Sequence, residues 1–283
     1  MSFKAGLVQL RSGTDEARNF YAAATLIREA AAKGADFITT PEITNLFEPD
    51  RKAFAAKITT QEDNLSVRGF VHLARDLRCW LHIGSLALKA ANGLALNRSI
   101  LLAPDGSIAA TYDKVHLFDV DLPNGDKYRE SEAYQGGTDA VVVELPFCTL
   151  GLSICYDVRF PALYHTLAKA GATVLVAPAA FTVPTGQAHW HVLQRARAIE
   201  TGSFVITAAQ GGDHQNGRAT YGHSLVVNPW GEVIAELAHD EPGVLLAEID
   251  VAQSAAARAR IPTLANTKTF TLKQEKPPTI SAP

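Results

Sequence analysis

Short apolar runs rich in Val, Ile, Leu and Ala recur along the whole chain, and only a few intervening stretches carry a helical pattern. Short runs bounded by turn residues read as strands, whereas apolar positions repeating at i, i+3 and i+4 mark a helix. Phe3–Leu10 reads as a strand, Asp15–Lys33 as a helix closed by Gly34, and Asp36–Thr40 as a second strand, which makes a β-α-β unit. A helix near Glu62–Arg78 precedes strands at Trp80–Leu88 and Ala95–Leu102, and Pro104-Asp105-Gly106 turns the chain into Ser107–Tyr112. Further strands fit Ala140–Leu145, Leu150–Ile154, Thr173–Ala177, Phe204–Ala209, Gly222–Asn228, Val233–Leu237 and Val244–Ile249, with helices at Pro161–Lys169 and Gln187–Thr201. About a dozen strands with so few helices overfill one doubly wound layer, so the pattern predicts an α/β fold of two packed sheets covered by helices.

No repeat or low-complexity linker divides the chain. One domain over residues 1–265 is therefore expected, followed by an extended tail over 266–283 rich in Lys, Thr and Pro. A net charge of -3 gives no basic footprint for phosphate contacts, which argues against nucleic acid as a partner. No apolar run approaches the ~18 residues of a membrane span, and the first thirty residues lack an apolar block after a basic start. A cytoplasmic protein with no membrane partner is expected. The cysteines Cys79, Cys148 and Cys155 are too scattered for a disulfide framework or a CxxC metal pair, so each is expected as a free thiol.

Cys155 stands where the apolar run Leu150-Gly-Leu-Ser-Ile stops and Tyr-Asp-Val-Arg-Phe-Pro161 opens a helix. Such a strand-to-helix turn holds a side chain proud of a sheet edge and aims the following backbone N–H groups at a developing oxyanion. Any one cysteine is more often a small core residue. A thiol of pKa ~8.5 is mostly protonated at neutral pH and needs a base or a cation nearby. Glu42, just after the strand Asp36–Thr40, and Lys114, just after the strand ending at Tyr112, stand at strand ends, positions that can converge on one rim of a sheet although far apart in sequence. A lone Glu or Lys in such a place is usually solvated.

The segments TTPEITN around Glu42, YDKVHLFDVDLP around Lys114 and GLSICYDVRFPALY around Cys155 resemble, in order, the three motifs of the nitrilase superfamily. PTGQAHWHVLQRARAIETGSFVITAAQGG and YGHSLVVNPWGEV are similar to its Nit amidase branch, so the resemblance runs from Phe3 to about Phe270. It implies a four-layer αββα sandwich, usually dimeric, with Glu42 as general base, Lys114 steadying the tetrahedral intermediate and Cys155 as nucleophile. Glu130 matches the family's additional glutamate, implied to orient Lys114. The backbone N–H of Tyr156 joins Lys114 in holding the oxyanion, and a thioester forms without metal or cofactor. Arg159 matches a carboxylate anchor, with Phe181 and Thr185 lining the acyl pocket; paired with Asp157, Arg159 would instead be structural.

These matches imply a cysteine-dependent amidase of a small carboxylated substrate, with deaminated glutathione ahead of the ω-amidase substrate α-ketoglutaramate. The loop from Ala209 to Gly222 resembles the deaminated glutathione enzymes, and Gln210, His214 and Arg218 are its candidates for meeting a peptide leaving group. Asn266-Thr267-Lys268-Thr269 departs from the paired basic residues usual in relatives, which puts tail contacts across a homodimer in doubt. A metal hydrolase would have only His189 and His191, which face different ways on a helix. No GxSxG, GxxxxGK or GxGxxG occurs. A silent nitrilase-like binding module and an acyl transferase are the remaining alternatives. The helix Gln187–Thr201 should turn Val192, Ala196 and Ile199 to the core or a subunit partner, and leave Arg195, Arg197 and Glu200 in surface or interface ion pairs.

Overall fold

Alternation along the first strand decides which side of a sheet faces which layer. In the computed structural model, which describes residues 1–122, 125–215 and 217–275, β1 (Ser2–Gln9) turns Phe3, Ala5 and Leu7 to the inter-sheet core. Val8 and the adjoining Leu10 face a separate core beneath helices. The first sheet continues through β2 (Phe37–Thr39), β3 (Trp80–Lys89), β4 (Ala95–Leu102) and β5 (Ile108–Asp113). The second sheet takes β6 (Val142–Glu144), β7 (Thr149–Leu152), β8 (Val174–Val176), β9 (Phe204–Thr207), β10 (Leu225–Val227) and β11 (Val233–Glu236) in chain order. β12 (Gly243–Asp250) returns antiparallel to β1, Ser2 opposite Asp250. Within each sheet one trio runs parallel: β1-β2-β3 and β7-β8-β9.

Helices α1 (Glu16–Ala32), α2 (Arg51–Lys57) and α3 (Leu65–Leu77) each begin at a side-chain cap, the carboxyls of Asp15 and Asp50 and the amide oxygen of Asn64. Ala23, Ile27 and Ala30 of α1 and Val67, Phe70 and Leu73 of α3 cover the first sheet. Helices α4 (Pro161–Lys169) and α5 (Val183–Thr201) cover the second, and α6 (Ala252–Arg260) follows β12. The result is an αββα sandwich, the four-layer architecture that the motifs imply.

Three features differ from the sequence reading. α5 starts at Val183, not Gln187, because Thr182 caps it and Pro184 fits its first turn. Its apolar repeat does not face the core: Val192 and Ile199 are exposed, while Trp190, Gln194, Arg197, Ala198 and Thr201 are buried. Arg197 is accordingly no surface residue; it donates to the Val158 carbonyl and pairs with Glu200, whereas Arg195 donates to the Gly231 carbonyl. Helices α2 and α6 and the small hairpin pairings Asp119–Asp121 with Lys127–Arg129 and Gly211–Asp213 with Ala219–Tyr221 have too little apolar periodicity to stand out in the sequence. Residues 267–275 of the tail carry no helix or strand and expose Phe270 and Leu272; positions 276–283 lie outside the described residues.

Candidate active site

Both parallel trios end at one rim, and the loops leaving that rim carry the candidate residues. Glu42 follows β2, Lys114 follows β5 directly, Cys155 follows β7, and Ala180 follows β8. Gly84 in β3 lets the two halves close. A Cβ there would lie 2.0 Å from the Thr40 carbonyl oxygen, 2.6 Å from that of Pro41 and 2.5 Å from Pro178 Cβ. The backbone leading to Glu42 thereby packs against Pro178, whose carbonyl accepts the Cys155 N–H at 2.9 Å. Cys155 itself has φ +48°, a left-handed conformation that a side chain adopts only when its surroundings hold it there.

Lys114 Nζ donates to Glu42 Oε1 at 2.8 Å and to Glu130 Oε2 at 2.8 Å and Oε1 at 3.1 Å. The Asn97 amide donates to Glu42 Oε1 at 2.9 Å and to Glu130 Oε1 at 3.1 Å. Backbone N–H groups complete the carboxylates, Ala180 to Glu42 Oε2 at 3.0 Å and Phe118 to Glu130 Oε2 at 2.6 Å. Glu42, Lys114, Asn97 and Cys155 are all buried. A buried charge persists only when paired and hydrogen-bonded, and each charge here is.

The electrostatics follow from that arrangement. Burial would raise the Glu42 pKa, but the Lys114 charge and hydrogen bonds from Lys114, Cys155 and Asn97 outweigh it and hold the carboxyl below its ordinary value. Burial also opposes the Lys114 charge, and the carboxylates of Glu130 and Glu42 override it, keeping the ammonium well above its usual range. Burial and the Glu42 charge push the Cys155 thiol well above the ordinary thiol value, against the pull of Lys114. Both directions favour a protonated thiol beside an ionised glutamate. The arrangement can move a proton from sulfur to Glu42 as sulfur attacks, rather than store a thiolate.

A cavity of about 270 Å³ is lined by Glu42, Lys114, Glu130 and Cys155 and also by Tyr156, Arg159, Phe181 and Thr185, the residues expected to meet the substrate. Arg159 does not pair with Asp157. That carboxylate is taken by the Tyr112 hydroxyl at 2.7 Å, the His116 ring and backbone, and the Ile154 N–H at 2.9 Å. The Arg159 guanidinium instead lies over the Phe181 ring at 5.3 Å and the Tyr156 ring at 5.9 Å, with Nη1 3.2 Å from His189 Nδ1. His191 turns away to Glu236.

Two of the three leaving-group candidates are committed elsewhere. Gln210 is buried and donates to Ser12 Oγ and the Glu42 carbonyl, and buried His214 bridges the Ser12 carbonyl and Thr220 Oγ1. Only Arg218 of the three lines the cavity. Sequence reasoning missed Asn97, although a signal exists: Asn97 and Ser99 are polar residues at inward positions of β4, a pattern that a plain core strand avoids. It also missed Tyr128, Tyr134, Phe47 and Arg51 on the cavity wall, which lie in polar or irregular segments with no distinguishing period.

The carbon-nitrogen hydrolase family model matches residues 4–259, and the chain belongs to that family. It is an amidase of the nitrilase superfamily. Its curated relatives include the human ω-amidase NIT2, 34% identical over 278 residues that cover 98% of this chain and 99% of that one. Deaminated glutathione amidase from Bos taurus is 39% identical over 259 residues, covering 90% of this chain and 78% of its own. Among solved structures, the C. elegans NitFhit protein superposes with a TM-score of 0.87 at 35% identity, over 94% of this chain and 65% of that chain. Saccharomyces cerevisiae Nit3 gives 0.83 at 29% identity, over 92% and 94%. A mutant of the amidase from Nesterenkonia sp., at 25% identity and a TM-score of 0.77 over 92% of this chain and 98% of that one, shows acrylamide added at its active site cysteine.

Proposed function

We propose that the chain hydrolyses the amide of a small carboxylated acid through a thioester on Cys155, with deaminated glutathione ahead of α-ketoglutaramate as substrate. The observation that carries this reading is the buried Lys114 held between Glu42 and Glu130, with buried Cys155 lining the same cavity. Glu42 takes the thiol proton while sulfur bonds to the amide carbon, and the carbonyl oxygen becomes an oxyanion held by Lys114 and the Tyr156 N–H. The C–N bond then breaks, and the proton passes from Glu42 to the leaving amine. Water attacks the thioester, giving its proton to Glu42; the acid leaves and the thiol is reprotonated. Glu130 fixes Lys114 throughout.

Arg159 is the anchor for the acyl carboxylate in this reading. Burial lowers its pKa, with Cys155 opposing, yet guanidinium remains charged, and no carboxylate pairs with it among the described residues. Phe181 and Thr185 complete the acyl wall. The ω-amidase alternative is favoured by the near full-length match to human ω-amidase NIT2. Steady-state comparison of the two amides tests the choice: a higher kcat/KM on deaminated glutathione is expected, and a higher value on α-ketoglutaramate reverses it. Rapid turnover of neither, beside fast cleavage of an N-carbamoyl compound or a nitrile, would overturn the substrate class.

The same reading includes a homodimer, for which exposed Val192 and Ile199 on α5 offer an apolar face. Light scattering of the purified chain at micromolar concentration should give twice the monomer mass. It also includes a cytoplasmic location, supported by three unpaired thiols; among the described residues no helix is long and apolar enough to cross a membrane. A single domain over residues 1–265 followed by an extended tail over 266–283 completes it.

A further inference from the structure

Asp157 is fully buried, and its carboxylate joins two stretches of chain that come from different sheets. Oδ2 accepts from the Tyr112 hydroxyl at 2.7 Å and the Ile154 N–H at 2.9 Å. Oδ1 accepts from the His116 N–H at 3.0 Å and from His116 Nδ1 at 2.7 Å. A carboxylate accepts and does not donate, so the hydrogen between the two side chains sits on Nδ1. These donors bracket the reacting groups. Tyr112 stands two residues before Lys114 and His116 two after it, while Ile154 stands one before Cys155 and Asp157 two after. One carboxylate therefore ties both flanks of the lysine, which follows β5, to the turn Cys155–Arg159, which follows β7. Rings tighten the same join: His116 stacks on Phe160 with 3.6 Å between centroids and 6° between planes, and Phe118 meets Tyr156 edge-on at 5.0 Å.

Amide cleavage needs two donors aimed at one developing oxyanion, and here they come from separate stretches: Lys114 from one and the Tyr156 N–H from the other. Glu42 and Glu130 hold the ammonium to the acids. Asp157 holds the backbone on both sides of that lysine to the turn that carries Tyr156. We infer that Asp157 is a positioning residue, which sets the spacing between the Lys114 ammonium and the Tyr156 N–H so that both meet the oxyanion formed when Cys155 attacks. This inference rests on the amide-hydrolysis reading and deepens it. A misplacement of about 1 Å in such a pair costs on the order of 100-fold in rate. The loss falls on kcat rather than KM, because the charge that these donors meet exists only in the transition state.

The test sets two reactions of the same sulfur side by side. Hydrolysis of an amide builds an oxyanion, whereas alkylation by iodoacetamide displaces iodide from carbon and builds none. Asp157→Asn keeps the shape but turns an NH2 toward two donors. On the faster of deaminated glutathione and α-ketoglutaramate its kcat should fall about 10²- to 10³-fold, with KM and the alkylation rate of Cys155 each within about threefold of the original. Tyr112→Phe and His116→Ala each delete one bond to the carboxylate and should lower kcat about 5- to 20-fold, and they decide the matter if Asp157→Asn does not fold. His116→Asn, whose amide can donate where Nδ1 does, should bring kcat back to within about threefold. Unchanged kcat in folded Tyr112→Phe and His116→Ala contradicts the inference. So does alkylation of Cys155 slowed in step with kcat, or new labelling of Cys79 and Cys148, which would make the network one of general packing. Each of these results leaves the amide-hydrolysis reading intact, and no turnover of either amide by the unsubstituted chain contradicts both.

Discussion

Lys114 Nζ lies 2.8 Å from Glu42 Oε1 with both side chains buried, so an ammonium and a carboxylate face each other where water is scarce. Glu130 is a second acceptor for the same ammonium, which means that removing the Glu42 charge leaves Lys114 paired. Glu42→Gln should therefore fold, while kcat falls about 10²- to 10⁴-fold through loss of the base. Circular dichroism with steady-state assay checks both halves, and near-normal kcat in a folded variant would remove Glu42 from the chemistry.

Thiol reactivity follows from the same electrostatics. Cys79 and Cys148 are buried among apolar residues, and burial pushes their thiols up to about 11 and about 12. Cys155 is also protonated at rest but borders the cavity and has a base at hand. Iodoacetamide at neutral pH should alkylate Cys155 at least about tenfold faster than the other two, and Glu42→Gln should slow that labelling. Peptide mapping by mass spectrometry reads the sites; equal labelling of all three in the folded chain would contradict the assignment.

Asn97 is expected to set the acid limb of the pH–rate profile. Its amide donates to Glu42, and donation to an ionised carboxylate keeps it ionised. Asn97→Ala should move the acid limb of kcat/KM to higher pH, and Asn97→Asp should move it further by adding a third carboxylate. A lower rate with an unmoved limb would reduce Asn97 to packing.

Stability should fall in acid in two stages. His82 is buried, stacked on Phe37 and bonded to Thr39 and Ser99, and burial pushes its pKa down to about 3. Between that value and the unfolded value of ~6.5 only the unfolded chain binds the proton, so stability declines as pH drops through this window. The depressed Glu42 carboxyl adds a contribution complete above its unfolded value near 4.5 and lost below it. Raised Lys114 acts at the other end, its contribution present below 10.5 and lost as pH rises through its folded value. Tm measured from pH 8 to pH 4 should fall below about 6.5, and His82→Gln should flatten the 6.5 to 4.5 segment while costing about 1–3 kcal/mol at neutral pH. An equally steep segment in that variant would contradict the His82 share.

The core of both sheets was legible because strand alternation and turn residues are local signals; Ala95–Leu102 and Trp80 onward match the structure almost residue for residue. The meeting of Glu42, Lys114 and Cys155 was legible through three short segments whose strand ends share one rim. What escaped depends on long-range pairing. On α5 the apolar repeat does not mark the core side, because the buried side is polar, with Gln194, Arg197 and Thr201 turned inward and Val192 and Ile199 left outward. Gln210 and His214 looked like loop residues able to meet a ligand, but both bond to Ser12, 198 and 202 positions away. Asn97 gains its role only when Glu42 and Glu130 arrive from separate loops.

The account turns on a covalent bond to one sulfur. Mixing the chain with a saturating amide, quenching in acid within milliseconds and mapping peptides by mass spectrometry should show the acyl mass on Cys155 alone, removable by hydroxylamine. Cys155→Ser should show neither thioester nor turnover above about a thousandth of the original rate. An acyl group on any other residue, or steady turnover by Cys155→Ser, would contradict it.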